Sequence, residues 1–297
     1  MLFSALPCLW QPSPVEPGTV TPPPMPQRAI TRRAELPGET LEIEDGDRRY
    51  TLFLPKEMKR TEDVTLAIHF HSAQWHAIQE HLDRGLDGPM IAFYPGEGSS
   101  VYGKSFEDKD RLGRWKERVA QELRNRGFPD TAQVKRIDIT SFSAGYGAVR
   151  QLLKDADTFK SIGRVILGDS LYGSLDATSA ERIPAREHIE VWLPLAQAAL
   201  RGEKEFVITY SAVKTPTYAS SSECARAIVS AVHGQMKPIE RGSLPATLDP
   251  QFPLLERFDS GKFHVWGYGG EDAAAHMTHA RHLADVWKAL DAARGRQ

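Results

Sequence analysis

A serine stands at the centre of the most chemically suggestive stretch of the sequence, Ser141-Phe142-Ser143-Ala144-Gly145. The β-branched run before it, residues 134–140, predicts a strand, and residues 147–153 after it predict a helix. A tight turn between them strains the backbone of Ser143, so small residues must stand two positions before and after it. Ser141 and Gly145 are small enough, although Ser141 replaces the first glycine of the G-x-S-x-G pattern. The pattern predicts a nucleophilic Ser143, and a serine that only caps the helix is the alternative.

Strand and helix patterns alternate on both sides of this turn. Residues 40–44 and 49–55 alternate apolar and polar side chains around an Asp-Gly-Asp turn, which predicts an antiparallel hairpin. Further strands are predicted at 64–70, 89–95, 163–169, 206–210 and 263–268, and helices at 75–82, 106–126, 222–232 and 276–293. This alternation predicts an α/β fold: a mostly parallel sheet opened by an antiparallel hairpin, with helices on both faces. Ser143 then lies at the carboxyl edge of the sheet, where open α/β folds bind ligands.

The order and spacing of these elements, together with the serine turn, resemble the α/β-hydrolase superfamily on its esterase side. The resemblance covers residues 38–293 and implies a three-layer α/β sandwich. Family members carry nucleophile, acid and histidine in this chain order, and Ser143, Asp169 and His276 follow it, each just after a predicted strand. The resemblance therefore implies a serine hydrolase that cleaves a carboxylic ester through an acyl-enzyme on Ser143, with Asp169 orienting His276.

Alternatives exist for both the base and the acid. The family's histidine precedes or opens the last helix, which favours His276, but His279 and His282 share its helical spacing and all three could line an exposed face. The family's acid more often lies one strand later, where residues 210–216 carry no carboxylate and Glu223 is the next candidate. Asp169 ends a buried strand, where an aspartate needs a partner, and it could also serve only as a helix cap.

Stabilising a tetrahedral intermediate requires two aligned backbone N–H donors. The resemblance assigns one donor to Ala144 and the other to the loop after strand 64–70, where Ala73 or Gln74 could donate. Family esterases often have His-Gly in this loop, whereas this chain has Ser72 after His71. Aromatic side chains near such turns more often pack in the core than contact substrate. The candidates for substrate contact are Trp75, Tyr102, Tyr146 and Tyr172.

Two other kinds of function stay open. His69 and His71 stand two residues apart at the end of a buried strand, with His76 close by, as in metal-dependent hydrolases of the amidohydrolase type. No further ligand set is evident at other strand ends, so a metal centre is the weaker alternative. A non-catalytic, ligand-binding member of the fold would also explain the departures at Ser141 and Ser72. The esterase interpretation needs no cofactor and no metal.

The bulk composition limits the partners. The chain of 297 residues has a net charge of −2 and no basic block, which argues against nucleic-acid binding. No apolar run is long enough to span a bilayer. The esterase resemblance implies a small-molecule ester as the partner. Cys8 and Cys224 are too few for a disulfide framework and lack the spacing of a metal site.

Residues 1–37 are expected to form a separate segment ahead of a domain at 38–297. Residues 1–10 are apolar without a basic start, and the prolines that follow up to residue 26 predict an extended, disordered linker. Such an end resembles that of an exported bacterial protein, which favours a periplasmic or extracellular location; a disordered tail on a cytosolic protein is the alternative. Within the domain, residues 171–203 could form a lid over the site or be plain structure.

Overall fold

A computed structural model describes residues 20–240 and 251–295, and within these ranges ten strands join into one mixed sheet. Expectations about residues 1–19, Cys8 among them, and about residues 241–250 fall outside the described residues. The strands are β1 (Gly38–Asp45), β2 (Arg48–Pro55), β3 (Asp63–Phe70), β4 (Met90–Phe93), β5 (Gln133–Phe142), β6 (Ile162–Gly168), β7 (Glu205–Tyr210), β8 (Lys237–Pro238), β9 (Leu254–Ser260) and β10 (Phe263–Tyr268).

The strand order places the parallel strands at the centre of the sheet. Across the sheet the order is β1-β2-β4-β3-β5-β6-β7-β10-β9-β8. Neighbours from β4 to β10 pair in parallel, while β1–β2, β2–β4, β10–β9 and β9–β8 pair antiparallel. The predicted α/β fold, mostly parallel and opened by an antiparallel hairpin, is confirmed. The second antiparallel edge, β9 with β8, has no clear signal in the sequence because β9 mixes Leu with Glu, Arg and Asp.

Helices connect the strands and cover both faces of the sheet. Within the described residues they are α1 (Gln74–Asp83), α2 (Ser99–Ser105), α3 (Arg111–Arg124), α4 (Tyr146–Leu152), α5 (Ala156–Ser161), α6 (Arg186–Glu190), α7 (Leu193–Leu200), α8 (Ser221–Ala231), α9 (Ala273–Arg281) and α10 (Leu283–Arg294). Along β6, Val165 and Leu167 pack with the cluster that includes α3, α4, α7 and α8, whereas Ile166 packs with α10. The helices on both faces that the alternation predicted are therefore present.

Two helical regions differ from the sequence pattern. Helix α2 forms inside a glycine- and serine-rich stretch, where Gly98 and Gly103 lower the intrinsic helix propensity. The single helix predicted over 276–293 is two helices, α9 and α10, which divide at His282. The backbone of His282 is not helical (φ −119°, ψ 14°), and its Nδ1 contacts Asp285 at 2.6 Å. The first turn of α10 is thus held by a side-chain contact that periodicity does not reveal.

Residues 171–203 form most of the connection between β6 and β7, the segment for which a lid or plain structure was predicted. Isolated bridges pair Gly173 with Ala219 and Leu175 with Pro184. Trp192 and Leu195 are buried in the main core, so α6 and α7 pack on the sheet as an ordinary crossover layer. Of this segment, Tyr172 faces the candidate site.

The described part of the N-terminal segment, residues 20–37, lies against the domain, which corrects the expectation of a disordered linker there. Val20 and Met25 are buried beside β10 and α10. The hydroxyl of Tyr268 donates to the carbonyl of Pro23 at 2.7 Å, and His282 Nε2 lies 2.8 Å from the carbonyl of Pro26. A proline-rich chain lacks internal partners, but its carbonyl groups accept hydrogen bonds from side chains that the fold presents.

Among the described helices, none has the length and apolar character that crossing a membrane requires.

Candidate active site

Ser143 lies at the sharp turn between β5 and α4 that the sequence predicted. Its backbone has φ +47°, a left-handed conformation that a non-glycine residue adopts only when its surroundings enforce it. A Cβ on Gly145 would stand 2.6 Å from Ser141 Oγ and 2.7 Å from the carbonyl oxygen of Phe70, so only glycine fits there. The small residues flanking Ser143 are thus required by the packing of the turn against β3.

Ser141, the departure from the glycine pattern, belongs to a buried hydrogen-bond chain beneath the turn. Ser141 Oγ lies 2.7 Å from Ser170 Oγ, and Ser170 Oγ donates to the carbonyl of Ser143 at 2.8 Å. The single proton of Ser170 goes to that carbonyl, so Ser141 donates to Ser170. Both serines are fully buried. These two hydrogen bonds connect the strained turn at Ser143 to Ser170, the residue that follows Asp169.

The structure brings Ser143, His276 and Asp169 together in one line. His276 Nε2 lies 3.0 Å from Ser143 Oγ, and His276 Nδ1 lies 2.8 Å from Asp169 Oδ2. The imidazole stacks on Phe142, with ring centroids 4.6 Å apart, which fixes the plane of the ring. His276 enters from the first turn of α9, whose N-terminus is capped by Asp272. These contacts let Ser143 donate its proton to Nε2 while Nδ1–H donates to the carboxylate.

Asp169 is held as a buried carboxylate at the end of β6. Its backbone has φ +42°, and its N–H donates to the carbonyl of Thr209 at 2.8 Å. Ser211 donates to Oδ2, the same oxygen that contacts His276. Burial acts to raise the pKa of this carboxyl, but the hydrogen bonds from His276 and Ser211, together with nearby histidines, hold the pKa of Asp169 below its ordinary value. The site therefore keeps a negative charge facing the imidazole.

The rival acid and bases lie elsewhere. His279 is buried with Nδ1 at 2.8 Å from Thr209 Oγ1, and burial lowers its pKa to about 4. His282 contacts Asp285 and the N-terminal segment. Glu223 forms the capping box of α8 with Ser220 and pairs with Arg182. None of these three side chains contacts Ser143 in the structure.

The candidate oxyanion donors differ in their position relative to the cleft that contains Ser143. Ala144 lines the cleft next to Ser143. Ala73 and Gln74 do not line the cleft: Ala73 caps α1 with its carbonyl, and the side chain of Gln74 donates to Glu42. The backbone of His71, just after β3, has a left-handed φ of +69°. The assignment of the second donor to Ala73 or Gln74 is thus unsupported by their position.

Two of the four aromatic candidates for substrate contact do not line the cleft that contains Ser143. Tyr102 is fully buried, and its hydroxyl donates to His71 Nδ1 at 2.8 Å. Trp75 packs against His76 and does not line the cleft. Tyr146 and Tyr172 do line it, and Tyr218 joins them from the loop after β7. Tyr218 stands in a stretch without strand or helix periodicity, so no role is predicted for it from the sequence.

The histidine pair of the metal alternative is engaged in hydrogen bonds. His69 Nδ1 lies 2.9 Å from Thr140 Oγ1, and His69 Nε2 lies 2.7 Å from Ser72 Oγ. Burial holds the pKa of His69 well below its ordinary value, and His71 accepts from Tyr102. Within residues 20–240 and 251–295, no three His, Cys, Asp or Glu side chains cluster as metal ligands do. The sequence spacing of His69 and His71 is therefore explained by buried hydroxyl partners.

Ser143 opens onto a cleft of ≈ 670 Å³ at the carboxyl edge of the sheet. Its wall combines the three tyrosines with three carboxylates and small polar or apolar groups, and Tyr94 hydrogen-bonds one of these carboxylates, that of Glu97. The lining residues are Glu97, Gly98, Ser99, Ser143, Ala144, Tyr146, Tyr172, Val213, Thr215, Tyr218, Glu271, Asp272, Ala273 and His276. The volume suits a small molecule.

The solved structures that this chain resembles are distant from it in sequence. No family model matches the sequence, and no curated protein matches it. An esterase from Pyrobaculum calidifontis is 11% identical over 85% of this chain and 85% of its own, with a TM-score of 0.41. A ferulic acid esterase from Anaeromyces mucronatus is 11% identical over 90% and 97%, with a TM-score of 0.47. An S-formylglutathione hydrolase from Agrobacterium tumefaciens is 10% identical over 88% and 99%, with a TM-score of 0.43.

The sheet order and the flanking helices define an α/β fold with a mostly parallel sheet, as the sequence pattern predicted.

Proposed function

We propose that this chain is a serine hydrolase that cleaves a carboxylic ester through an acyl-enzyme on Ser143. The observation that carries the proposal is the hydrogen-bonded line from Ser143 Oγ through His276 to Asp169, at 3.0 and 2.8 Å. A serine hydroxyl is a poor nucleophile unless a base within hydrogen-bond reach accepts its proton, and a buried carboxylate makes imidazole a better base. Three side chains from three separate strand ends meet this requirement together.

The reaction proceeds in two halves. Ser143 Oγ attacks the carbonyl carbon as its proton moves to His276 Nε2, and Asp169 stabilises the imidazolium that forms. The proton then passes to the departing alkoxide, which leaves as an alcohol, and the acyl group stays on Ser143. In the second half water attacks the acyl carbon while His276 takes one of its protons. His276 then returns that proton to Ser143 Oγ as the bond between Oγ and the acyl carbon breaks, and the carboxylic acid is released. The N–H of Ala144, next to Ser143 in the cleft wall, is proposed as one oxyanion donor.

Covalent labelling and turnover test the proposal together. A fluorophosphonate probe reacts with an activated serine, so wild-type protein should be labelled at Ser143 and should hydrolyse p-nitrophenyl acetate. Ser143→Ala and His276→Ala should lose turnover by a factor on the order of 10⁴ or more. Matched controls are Ser230→Ala and His233→Asn, since both residues are exposed and His233 has φ +60°, which asparagine tolerates.

Each outcome separates the enzyme from a non-catalytic ligand-binding member of the fold. A binding protein would fail to react with the probe because its serine is not activated. Undiminished turnover by Ser143→Ala, or a wild-type protein that stays unlabelled, would refute the proposed function.

A further inference from the structure

Three tyrosines form a row along the wall of the cleft that contains Ser143. The rings of Tyr146 and Tyr172 have centroids 5.7 Å apart with an interplanar angle of 59°, and Tyr172 and Tyr218 are also 5.7 Å apart at 79°. Both pairs lie within the distance range of favourable edge-to-face aromatic contacts. All three line the same cleft as Ser143 and His276.

Two of the three rings come from the connections that carry Ser143 and Asp169, and the third comes from the connection after β7. Tyr146 follows Ser143 by three residues and begins α4, and Tyr172 follows Asp169 by three residues. Tyr218 lies between β7 and α8, where its carbonyl accepts hydrogen bonds from Arg182 at 2.8 Å and from Thr215. The backbone positions of Tyr146 and Tyr172 are therefore set by the same strand ends that position Ser143 and Asp169, and that of Tyr218 is held by its own hydrogen bonds.

The anchoring of the rings becomes weaker from one end of the row to the other. Tyr146 is 8% exposed and its hydroxyl donates to Ser99 at 3.1 Å, whereas Tyr218 is 44% exposed. A large aromatic ring that stays in solvent beside a cleft has apolar surface available for a ligand. Core packing accounts for the burial of Tyr146 and leaves the exposed ring of Tyr218 without an explanation.

The rest of the lining indicates what kind of ligand fits. Glu97, Ser99, Thr215, Glu271 and Asp272 make the remaining wall largely polar, with few apolar groups beyond the tyrosines. A long alkyl chain would leave these polar groups poorly hydrated, whereas a compact ring can contact the tyrosines alone. An aromatic ring gains in addition from edge-to-face contact, which continues the geometry of the row.

We propose that Tyr146, Tyr172 and Tyr218 form an aromatic-binding subsite, so that the preferred esters carry an aromatic ring. This inference rests on the proposed hydrolase function and adds the substrate class. The ring could belong to the acyl group or to the alcohol, because both lie near the nucleophile during the reaction. Tyr218 is the member whose side chain is free enough to test without disturbing the core.

Two pairs of esters separate ring chemistry from ring size. Methyl phenylacetate with methyl cyclohexylacetate tests the acyl side, and benzyl acetate with cyclohexylmethyl acetate tests the alcohol side. A methylene separates each ring from the ester, so the members of a pair have similar intrinsic reactivity. The measured quantity is the ratio of kcat/KM, aromatic over saturated, in wild type, Tyr218→Leu and Tyr218→Phe.

Wild type should favour the aromatic member of one pair, and Tyr218→Leu should lower that ratio by about two- to tenfold. Tyr218→Phe keeps the ring and should keep the ratio, and the pair that responds identifies the side on which the ring binds. Ratios equal in wild type and Tyr218→Leu for both pairs, or labelling of Ser143 without hydrolysis of either aromatic ester, would overturn the subsite alone. Failure to label Ser143 would overturn the proposed function as well.

Discussion

Replacement of Ser170 by alanine tests whether the turn at Ser143 is held from the loop that carries Asp169. The change removes the donor to the Ser143 carbonyl and the acceptor of the Ser141 hydroxyl, at 2.8 and 2.7 Å. Ser141 and Ser170 are both fully buried, so water does not replace the lost partners without rearrangement. Each buried polar group left unpaired costs about 1–3 kcal/mol, so the two groups together predict a loss of about 2–6 kcal/mol in the free energy of unfolding.

Ser141→Ala should cost less, since Ser170 keeps its hydrogen bond to Ser143. The expected loss is about 0.5–1.5 kcal/mol, the net value of one hydrogen bond. In the double variant only the Ser143 carbonyl loses its partner, so the double variant should be less destabilised than the sum of the single variants. The expected coupling is about 1–2 kcal/mol.

Urea unfolding followed by tryptophan fluorescence measures these free energies, and the rate of fluorophosphonate labelling reports the geometry of Ser143 separately. Ser170→Ala should slow labelling because the strained backbone at φ +47° relaxes. Ser105→Ala is the control: this buried serine donates to the Val101 carbonyl in a separate hydrogen bond, and its effect should add to that of Ser170→Ala. Additivity of Ser141→Ala and Ser170→Ala within about 0.5 kcal/mol would refute the hydrogen-bond chain.

Three further predictions concern the acid, a buried carboxyl and the N-terminal segment. Asp169→Asn should lower kcat by as much as about 10⁴ with a smaller effect on KM, and steady-state kinetics that show unchanged kcat would contradict its role. Burial chiefly raises the pKa of Glu80 from 4.5 to about 7, so its contribution to stability is present below about pH 4.5 and is lost as the pH rises through about 7. Glu80→Gln should therefore gain about 3 kcal/mol relative to wild type between pH 4.5 and pH 8 in urea unfolding, and a pH-independent difference would count against this. Met25→Ala should cost about 2–4 kcal/mol because Met25 is 2% exposed, while Met277→Ala, at 39%, should cost little; equal values would show that the segment is not packed.

The sequence predicts the fold well because each central strand carries its own signal. Apolar runs such as residues 64–70 and 206–210 lie between polar connections, and burial on both faces of a parallel sheet produces that pattern. The same reasoning places Ser143 at the sheet edge, since a small-residue turn between strand and helix is a local feature. Elements with mixed composition, such as β9, are not predicted because their apolar contacts come from only one face.

The candidate site is only partly visible in the sequence. Ser143, Asp169 and His276 can be selected by chain order, and the structure places them within hydrogen-bond distance. Tyr218 cannot be found this way, since it lies in an irregular loop and its neighbour Tyr172 is distant in sequence. The packing of residues 20–37 is equally hidden, because it depends on a hydroxyl from β10 and an imidazole from the end of α9.

The buried contact between Ser141 and Ser170 links two turns of the sheet edge that are far apart along the chain. Ser141, which stands in place of the first glycine of the pattern, supplies a hydroxyl. The turn after β6 supplies the acceptor of that hydroxyl, Ser170, directly after the carboxylate of Asp169. Loss of the Ser170 hydroxyl alone would leave the hydroxyl of Ser141 buried with no acceptor. Positions 141 and 170 therefore constrain each other, and a substitution at one should be tolerated best when the other changes with it.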